Sequence, residues 1–230
     1  MIDGVIEAKG LTKVYPGAVP VTAVVGVDLE VERGAFAAVI GPSGSGKTTL
    51  LNLLGGLDAP TSGSLRVDGQ DLSGLSPESR IDFRLAHIGF VFQAYNLVPV
   101  LSALENVEFI MLLQGVPRRR RQERALELLE AVGLADRRRA RPGEMSGGQQ
   151  QRVAVARALA SRPGFVLADE PTANLDSKSA FGLLDVMQKL NRDEKTTFLF
   201  STHDARVMER ASRVVVLEDG RIVSDERKPA

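Results

Sequence analysis

The residues best suited to chemistry form three short groups. The first is Gly41-Pro42-Ser43-Gly44-Ser45-Gly46-Lys47-Thr48, spaced as G-x-x-x-x-G-K-[ST]. Gly41, Gly44 and Gly46 let the backbone bend where a side chain would clash, so its N–H groups can converge on a polyphosphate. The Lys47 ammonium can reach the β- and γ-phosphates, and the Thr48 hydroxyl is placed to ligate Mg2+. The second group is Asp169-Glu170, directly after the apolar run at 165–168 (FVLA). Two carboxylates at the end of a buried strand are costly unless they hold a cation or move a proton. Beside a bound phosphate, the first would orient Mg2+ through water and the second would polarise the attacking water. The third group is Ser146-Gly147-Gly148-Gln149, which opens a helix and offers N–H groups and a hydroxyl to an anion. In isolation SGGQ is a plain turn; its weight comes from standing between the glycine-rich loop and LADEP.

The elements needed to position these groups are legible in the periodicity. Residues 35–40 (AFAAVI) form a short apolar run, as a buried parallel strand requires, and 48–57 (TTLLNLLGGL) begins a helix whose positive end faces the phosphates. Upstream, residues 5–31 alternate apolar and polar positions. VIEAKGLTKVY, VTAVVGVDLEV and then AFAAVIG read as strands of an antiparallel layer leading into the loop. Tyr15, at the end of the first, could stack on a nucleobase. Downstream come a strand at 64–67, a helix at 75–85 with Ser76 as N-cap and Pro77 in its first turn, and a strand at 88–92 that ends at Gln93.

From Ala94 to about Arg162 helical periodicity replaces strands. A helix at 102–113 opens with a Ser102/Glu105 capping box. A second, at 118–132, has Ala125, Leu126 and Leu129 on one face and is stopped by Gly133; a third covers 147–161. The α/β pattern then resumes: a strand at 165–168, a helix at 177–191, a strand at 196–201, a short helix at 204–210, and a hairpin of 213–217 with 221–223 across Glu218-Asp219-Gly220. The polar tail 225–230 is expected to fray. The expected fold is α/β. A phosphate-loop NTPase core from 1–93 and 163–230 carries an N-terminal antiparallel β layer and an inserted α-helical subdomain at 94–162, all within one domain, 1–230.

Composition narrows the function. The 230 residues are 43% hydrophobic, enough for a substantial core, and 29 Lys+Arg balance 29 Asp+Glu, so no global charge steers the chain to nucleic acid or acidic lipid. Arg118–Arg121 and Arg137–Arg139 with Arg141 are the charge runs, and without interleaved aromatics they read as a solvated helix face and loop. The absence of cysteine excludes disulfides, thiolate chemistry and Cys-based zinc sites. The first fifteen residues have no apolar core of signal length, and no stretch approaches the roughly 20 apolar residues that span a bilayer. Any membrane role is expected to come through a partner.

Met145-Ser146-Gly147-Gly148-Gln149, followed by Gln150-Gln151-Arg152-Val153-Ala154-Val155-Ala156-Arg157-Ala158-Leu159, resembles the signature motif of ATP-binding cassette (ABC) ATPases. The other motifs of that family follow in order, from residue 5 to about 223. The resemblance implies the cofactors ATP and Mg2+. It implies that Tyr15 stacks on adenine, that Gly41, Pro42, Ser43, Gly44, Ser45, Gly46, Lys47, Thr48 and Thr49 bind the nucleotide, and that Thr48, Gln93 and Asp169 serve the metal. Glu170, His203 and Gln93 become the catalytic set. Ala173-Asn174-Leu175-Asp176 matches the loop that crosses between subunits, so Asp176 joins Ser146, Gly147, Gly148 and Gln149 as contacts to the nucleotide of a second copy. Two copies would pack head to tail, each ATP lying between one copy's phosphate loop and the other's signature. Met145 where Leu is common, and Ala173 where Gly is frequent, remove no catalytic group.

GFVFQAYNLVPVLSALENVEF, Gln149-Gln150-Gln151 and LADEPTANLDS are most similar to the lipoprotein-release and macrolide-export type. That likeness implies a membrane permease subunit with an external domain, and a peripheral position at the cytoplasmic face of the inner or plasma membrane. Tyr95, Asn96, Leu97 and Val98 would receive a short helix of that subunit. A cell-division type of ABC ATPase, which regulates the envelope and transports nothing, shares parts of the pattern. A nucleic-acid or ribosome role is disfavoured: such relatives carry two cassettes or a long inserted coiled coil, and no nucleic-acid partner is expected.

Overall fold

The computed structural model describes residues 4–228. Two long alternating strands, β1 (Gly4–Tyr15) and β2 (Val21–Glu32), pair antiparallel. Then come β3 (Phe36–Ile40), α1 (Lys47–Leu54), β4 (Ser62–Val67), β5 (Gln70–Asp71), α2 (Pro77–His87) and β6 (Ile88–Val91). Three helices follow, α3 (Ala103–Leu113), α4 (Arg118–Ala131) and α5 (Gly147–Leu159), with short 3-10 turns at Ala135–Arg137 and Pro142–Glu144 between the last two. The chain then returns to β7 (Phe165–Asp169), α6 (Ser177–Glu194), β8 (Thr197–Thr202), α7 (Ala205–Arg210), β9 (Arg213–Glu218) and β10 (Arg221–Arg227). Ser76 and Ser102 cap α2 and α3 as expected, the second in a full capping box with Glu105.

These strands make two sheets. One is antiparallel, in the order β2-β1-β4-β5; the other runs β10-β9-β3-β8-β7-β6 and is parallel except for β10. AFAAVI therefore belongs to the parallel sheet and not to the antiparallel layer. Its burial explains why: Phe36 to Val39 are all buried, as a central parallel strand covered on both faces must be. The period of two sends alternate residues to opposite cores. Phe36, Val166, Phe198 and Phe200 pack into the helical side with α3 to α6, whereas Ala37, Val39, Leu167 and Leu199 pack under the antiparallel sheet, α1 and α2.

Two further expectations are corrected. On α4 the buried face is Ala125, Leu128 and Leu129, and Leu126 is 38% exposed. Leu128 and Leu129 lie three and four positions from Ala125 and share its face, whereas Leu126, one position on, is turned about 100° away from Ala125. The tail does not fray at 225: β10 continues to Arg227, Lys228 N donates to Ser212 O at 2.8 Å, and only 229–230 of that stretch lie outside the described residues. Asp225 accepts two hydrogen bonds from the buried Arg213, from Nε at 2.7 Å and Nη2 at 2.6 Å. Those bonds hold its carboxyl below the usual range, against the opposing pull of burial. Stability from this pair is thus present above the ordinary aspartate pKa and lost as pH falls through the depressed folded value. Asp225→Asn is expected to lower unfolding free energy at neutral pH by ~1 kcal/mol, the ceiling for a partly exposed pair. Urea titrations should show that gap closing below about pH 4.

Candidate functional site

The phosphate loop connects β3 to α1 at the carboxyl edge of the parallel sheet. Gly46, the N-cap of α1, has φ +100°, and a Cβ there would lie 2.2 Å from Ala23 O, so the loop closes on β2 only with glycine at this point. Lys47 is buried, and its Nζ donates to Gly41 O at 2.8 Å and Pro42 O at 2.9 Å, which holds the ammonium at the centre of the loop. The loop curls around a cavity of about 580 Å³. Gly41 to Gly44 and Gly46 to Thr49 line it, together with Gln93, Glu170, Ala173, His203 and Ala23. Ser45 lies beneath, buried, with an Oγ that has no partner among the described residues.

The carboxylates arrive from β7. Asp169 is its last residue and accepts from Thr48 Oγ1 at 3.2 and 3.3 Å and from Ser201 Oγ. A hydroxyl and a carboxylate side by side are hard oxygen donors, which suit Mg2+. No cluster of three or more His, Cys, Asp or Glu able to hold a metal occurs among the described residues. A cation here fits only with phosphate and water oxygens filling the other positions, which is the usual state of Mg2+ beside a nucleotide. Glu170 follows at φ +46°, a left-handed conformation that costs a non-glycine residue of order 1–3 kcal/mol. Its N–H donates to Ser201 O at 3.0 Å, and its Oε1 lies 2.8 Å from His203 Nδ1. Its Oε2 is buried at the cavity and has no partner among the described residues. A strained carboxylate with one oxygen anchored and one uncommitted is suited to orient a water.

The remaining expected site residues lie elsewhere. Tyr15 does not line the cavity; its hydroxyl donates to Asp58 Oδ2 at 2.9 Å and Lys13 Nζ stands 4.9 Å over its ring. Ser146 and Gln149 form a capping box on α5, through Gln149 N to Ser146 Oγ at 3.3 Å and Ser146 N to Gln149 Oε1 at 2.9 Å. Gly147 is covered by Tyr95, whose hydroxyl would meet an added Cβ at 2.7 Å, and Gly148 similarly faces Ser179 at 3.0 Å. Asp176 caps α6, accepting from Ser179 N at 3.0 Å and Ser179 Oγ at 2.6 Å. None of these five lines the cavity. The chain's own site thus contains the phosphate loop, Gln93, Asp169, Glu170 and His203, without the signature.

Several contributors escaped the sequence. Ala23 and Ala173 line the cavity but carry no functional group to signal it. Gln151 is fully buried and donates from Nε2 to Pro171 O at 2.9 Å and Phe92 O at 3.3 Å, joining α5 to the segments that carry Glu170 and Gln93. Arg157 donates to Tyr95 O at 2.9 Å and to Asn96 O, fixing two consecutive left-handed residues at φ +61° and +49°. Both are polar side chains on a buried helix face, and that mismatch was the available signal. Beside them an apolar groove of about 380 Å³ runs between α2 and α3, lined by Ile81, Leu85, Phe90, Phe92, Val98 and Phe109 among others. Of the four surface residues expected beyond Gln93, Asn96 and Val98 line this groove, Tyr95 turns to Gly147, and Leu97 packs inward against the helical core.

Comparison with known proteins gives a consistent picture. The family model described as ABC transporter matches residues 24–173. The chain is 48% identical over 221 residues to a lipoprotein-releasing system ATP-binding protein, LolD 1, of Rhodopseudomonas palustris, covering 95% of this chain and 98% of that one. It is also 48% identical over 226 residues to a macrolide export ATP-binding/permease protein, MacB, of the same species, covering 98% of this chain but only 34% of the relative. Among solved structures, an ATP-binding cassette captured as a dimer in a post-hydrolysis state with ADP and Pi superposes with a TM-score of 0.88. It shares 39% identity and covers 98% of this chain and 99% of its own.

Proposed function

The chain belongs to the ABC transporter family, and on that premise we propose that it is the ATPase subunit of an exporter or extractor of the lipoprotein-release and macrolide-export type. It binds and hydrolyses MgATP as a head-to-tail dimer of two copies and drives a membrane permease subunit that carries an external domain. The observation that carries this reading is the division of the site. Lys47, Gln93, Glu170 and His203 share one cavity, while Ser146 to Gln149 stand at a helix start outside it. A dimeric likeness with ADP and Pi supports a second copy supplying the missing half.

In this reading Lys47 and the N–H groups of Gly41 to Thr49 hold the phosphates, and Tyr15 packs beside the base. Bound Mg2+ would neutralise charge on the phosphates next to Thr48, Gln93 and Asp169. Glu170 takes the proton of the attacking water, and His203, in contact with Glu170, reports the γ-phosphate. Ser146, Gly147, Gly148, Gln149 and Asp176 act on the partner's nucleotide. We assign 94–162 as the inserted helical subdomain and 1–93 with 163–230 as the core. The support is that β6 ends at Val91, β7 begins at Phe165, and only helices and turns lie between. The apolar groove beside Asn96 and Val98 receives the membrane subunit's short cytoplasmic helix, which places the protein peripherally at the cytoplasmic face of the inner or plasma membrane. No helix among the described residues is long and apolar enough to cross that membrane.

Affinity purification from native membranes tests the assignment. Recovery with a multi-span membrane protein is the expected result; recovery with nucleic acid and no membrane subunit would overturn it. A membrane partner that stimulates ATP turnover while no cargo moves would identify the envelope-regulating type. Lys47→Ala is expected to weaken ATP binding roughly a hundredfold, the loss of one or two charge-assisted hydrogen bonds. Equilibrium titration with a fluorescent ATP analogue measures it, and the apolar burial of the fold should leave the unfolding temperature close to that of the parent.

A further inference from the structure

Across α3 from the apolar groove lies a second cavity of about 580 Å³ that none of the roles above uses. Phe109 lines both, so α3 is the wall between them. Five arginines face the second cavity: Arg118 and Arg121 at the start of α4, and Arg138, Arg139 and Arg141 on the segment leading to α5. Neighbouring arginines on the same segments are paired, Arg119 with Glu123, Arg124 with Glu194 and Arg137 with Asp136. Arg118, Arg138, Arg139 and Arg141 form no ion pair among the described residues. Arg121 spends one nitrogen on Val116 O at 2.7 Å, and its buried Nε has no partner among the described residues.

Two carboxyl groups share the cavity. Glu105 is consumed by the α3 cap, accepting from Ser102 N at 2.8 Å and Ser102 Oγ at 2.7 Å. Glu108 is only 9% exposed and its Oε1 has no partner among the described residues. Burial pushes the Glu108 carboxyl up, against the pull of Arg121 and Arg118. Unpaired guanidinium groups gathered in one concavity repel one another, and an anion that matches their planar forks relieves this; phosphate offers several oxygens to more than one fork at once. Beside Ser102 and Gln122, the lining also has an apolar part, from Leu104, Phe109 and Leu112, the last half exposed. A ligand with phosphate at one end and carbon at the other fits both walls.

We propose that this cavity binds the headgroup of an anionic membrane phospholipid, its phosphate against the arginines and its glycerol and first acyl carbons against Leu104, Phe109 and Leu112. In drawing the phosphate from a membrane and not from solution, the proposal rests on the membrane subunit's occupying the groove on the other side of α3. The site then sits beside that subunit and senses or anchors the surrounding lipid.

Co-sedimentation of the purified chain with vesicles tests this without ATP and without a membrane subunit. Vesicles of phosphatidylcholine with phosphatidylglycerol are compared with phosphatidylcholine alone, at one fixed salt concentration because surface charge is screened. The triple variant Arg138→Gln, Arg139→Gln, Arg141→Gln is expected to lose roughly a hundredfold in affinity for the anionic vesicles, about fivefold per arginine. A charge-matched control, Arg119→Gln, Arg120→Gln, Arg137→Gln, should bind as the parent does, and Leu112→Ser should weaken vesicle binding severalfold. All three variants should keep the parental basal ATP turnover, which separates loss of this site from loss of the fold or of the ATPase reading. Equal losses in the two triple variants would reduce the cavity to diffuse charge and overturn the proposal. Full displacement by millimolar inorganic phosphate, with Leu112→Ser unchanged, would overturn it in favour of a free phosphate ligand.

Discussion

Glu170→Gln should bind ATP normally and turn it over about a thousandfold more slowly or less, the range lost with a general base. The amide is nearly isosteric, so the left-handed backbone at 170 and its hydrogen bond to Ser201 O are undisturbed. The contact with His203 Nδ1 can be kept by the amide oxygen. What changes is the unpartnered oxygen at the cavity, which loses its negative charge and with it the ability to take a proton. Because binding is spared while hydrolysis is not, the variant should accumulate with ATP as a dimer. Single-turnover hydrolysis of labelled ATP and light scattering read the two effects separately. A parental rate would move the base elsewhere, and His203, in contact with Glu170, would be the next residue to replace. His203→Ala should act differently. It frees Glu170 without removing the carboxylate, so the loss should be smaller and accompanied by weaker retention of ATP.

The chemistry-bearing stretches were legible because chemistry restricts backbone and side chain together. A loop that must wrap phosphate needs glycine where Ala23 O approaches. A carboxylate pair needs the end of a buried strand, and FVLA announces one. Sheet membership was less legible. AFAAVI reads as a buried strand by composition, but nothing local states that its neighbours are β8 and β9 and not β2. Those pairings are set by contacts far apart in sequence. Composition alone misplaces Leu126, since leucine on an amphipathic helix suggests burial, whereas the buried stripe takes Leu128. The tail's polarity suggests fraying, yet the Arg213–Asp225 pair and ladder bonds to β9 hold it as far as Arg227. Tyr95 is the most instructive case. Its neighbourhood was expected to face a partner, and its side chain instead covers Gly147, because Arg157 holds the backbone of 95 and 96 left-handed. An arginine at the far end of α5 fixes the loop whose tyrosine shields the start of α5, a relation that spacing alone does not reveal.

Ser146→Arg tests whether the site is shared. The substitution removes the α5 cap, worth ~1 kcal/mol of stability, and sets a long cation where Ser146 Oγ accepts from Gln149 N. Since no signature residue lines the chain's own cavity, ATP binding to that cavity should be near normal. Turnover should fall about a hundredfold, as when donors to a transition-state anion are removed. Mixing this variant with Lys47→Ala then discriminates. In a head-to-tail dimer each nucleotide meets one copy's loop and the other copy's signature. A mixed pair therefore joins the sound loop of Ser146→Arg to the sound signature of Lys47→Ala at one site and concentrates both defects at the other. Ser146→Arg alone binds ATP but releases it freely, since no sound signature closes over it; equimolar mixing makes half the dimers mixed, each with one sound site of two, so about a quarter of the parental amount of slowly released ATP should return. A site complete within one chain would return nothing, and Ser146→Arg alone at the parental rate would remove the signature from the mechanism. Retention of labelled ATP is the better readout, because it reports one assembled site even if turnover requires both.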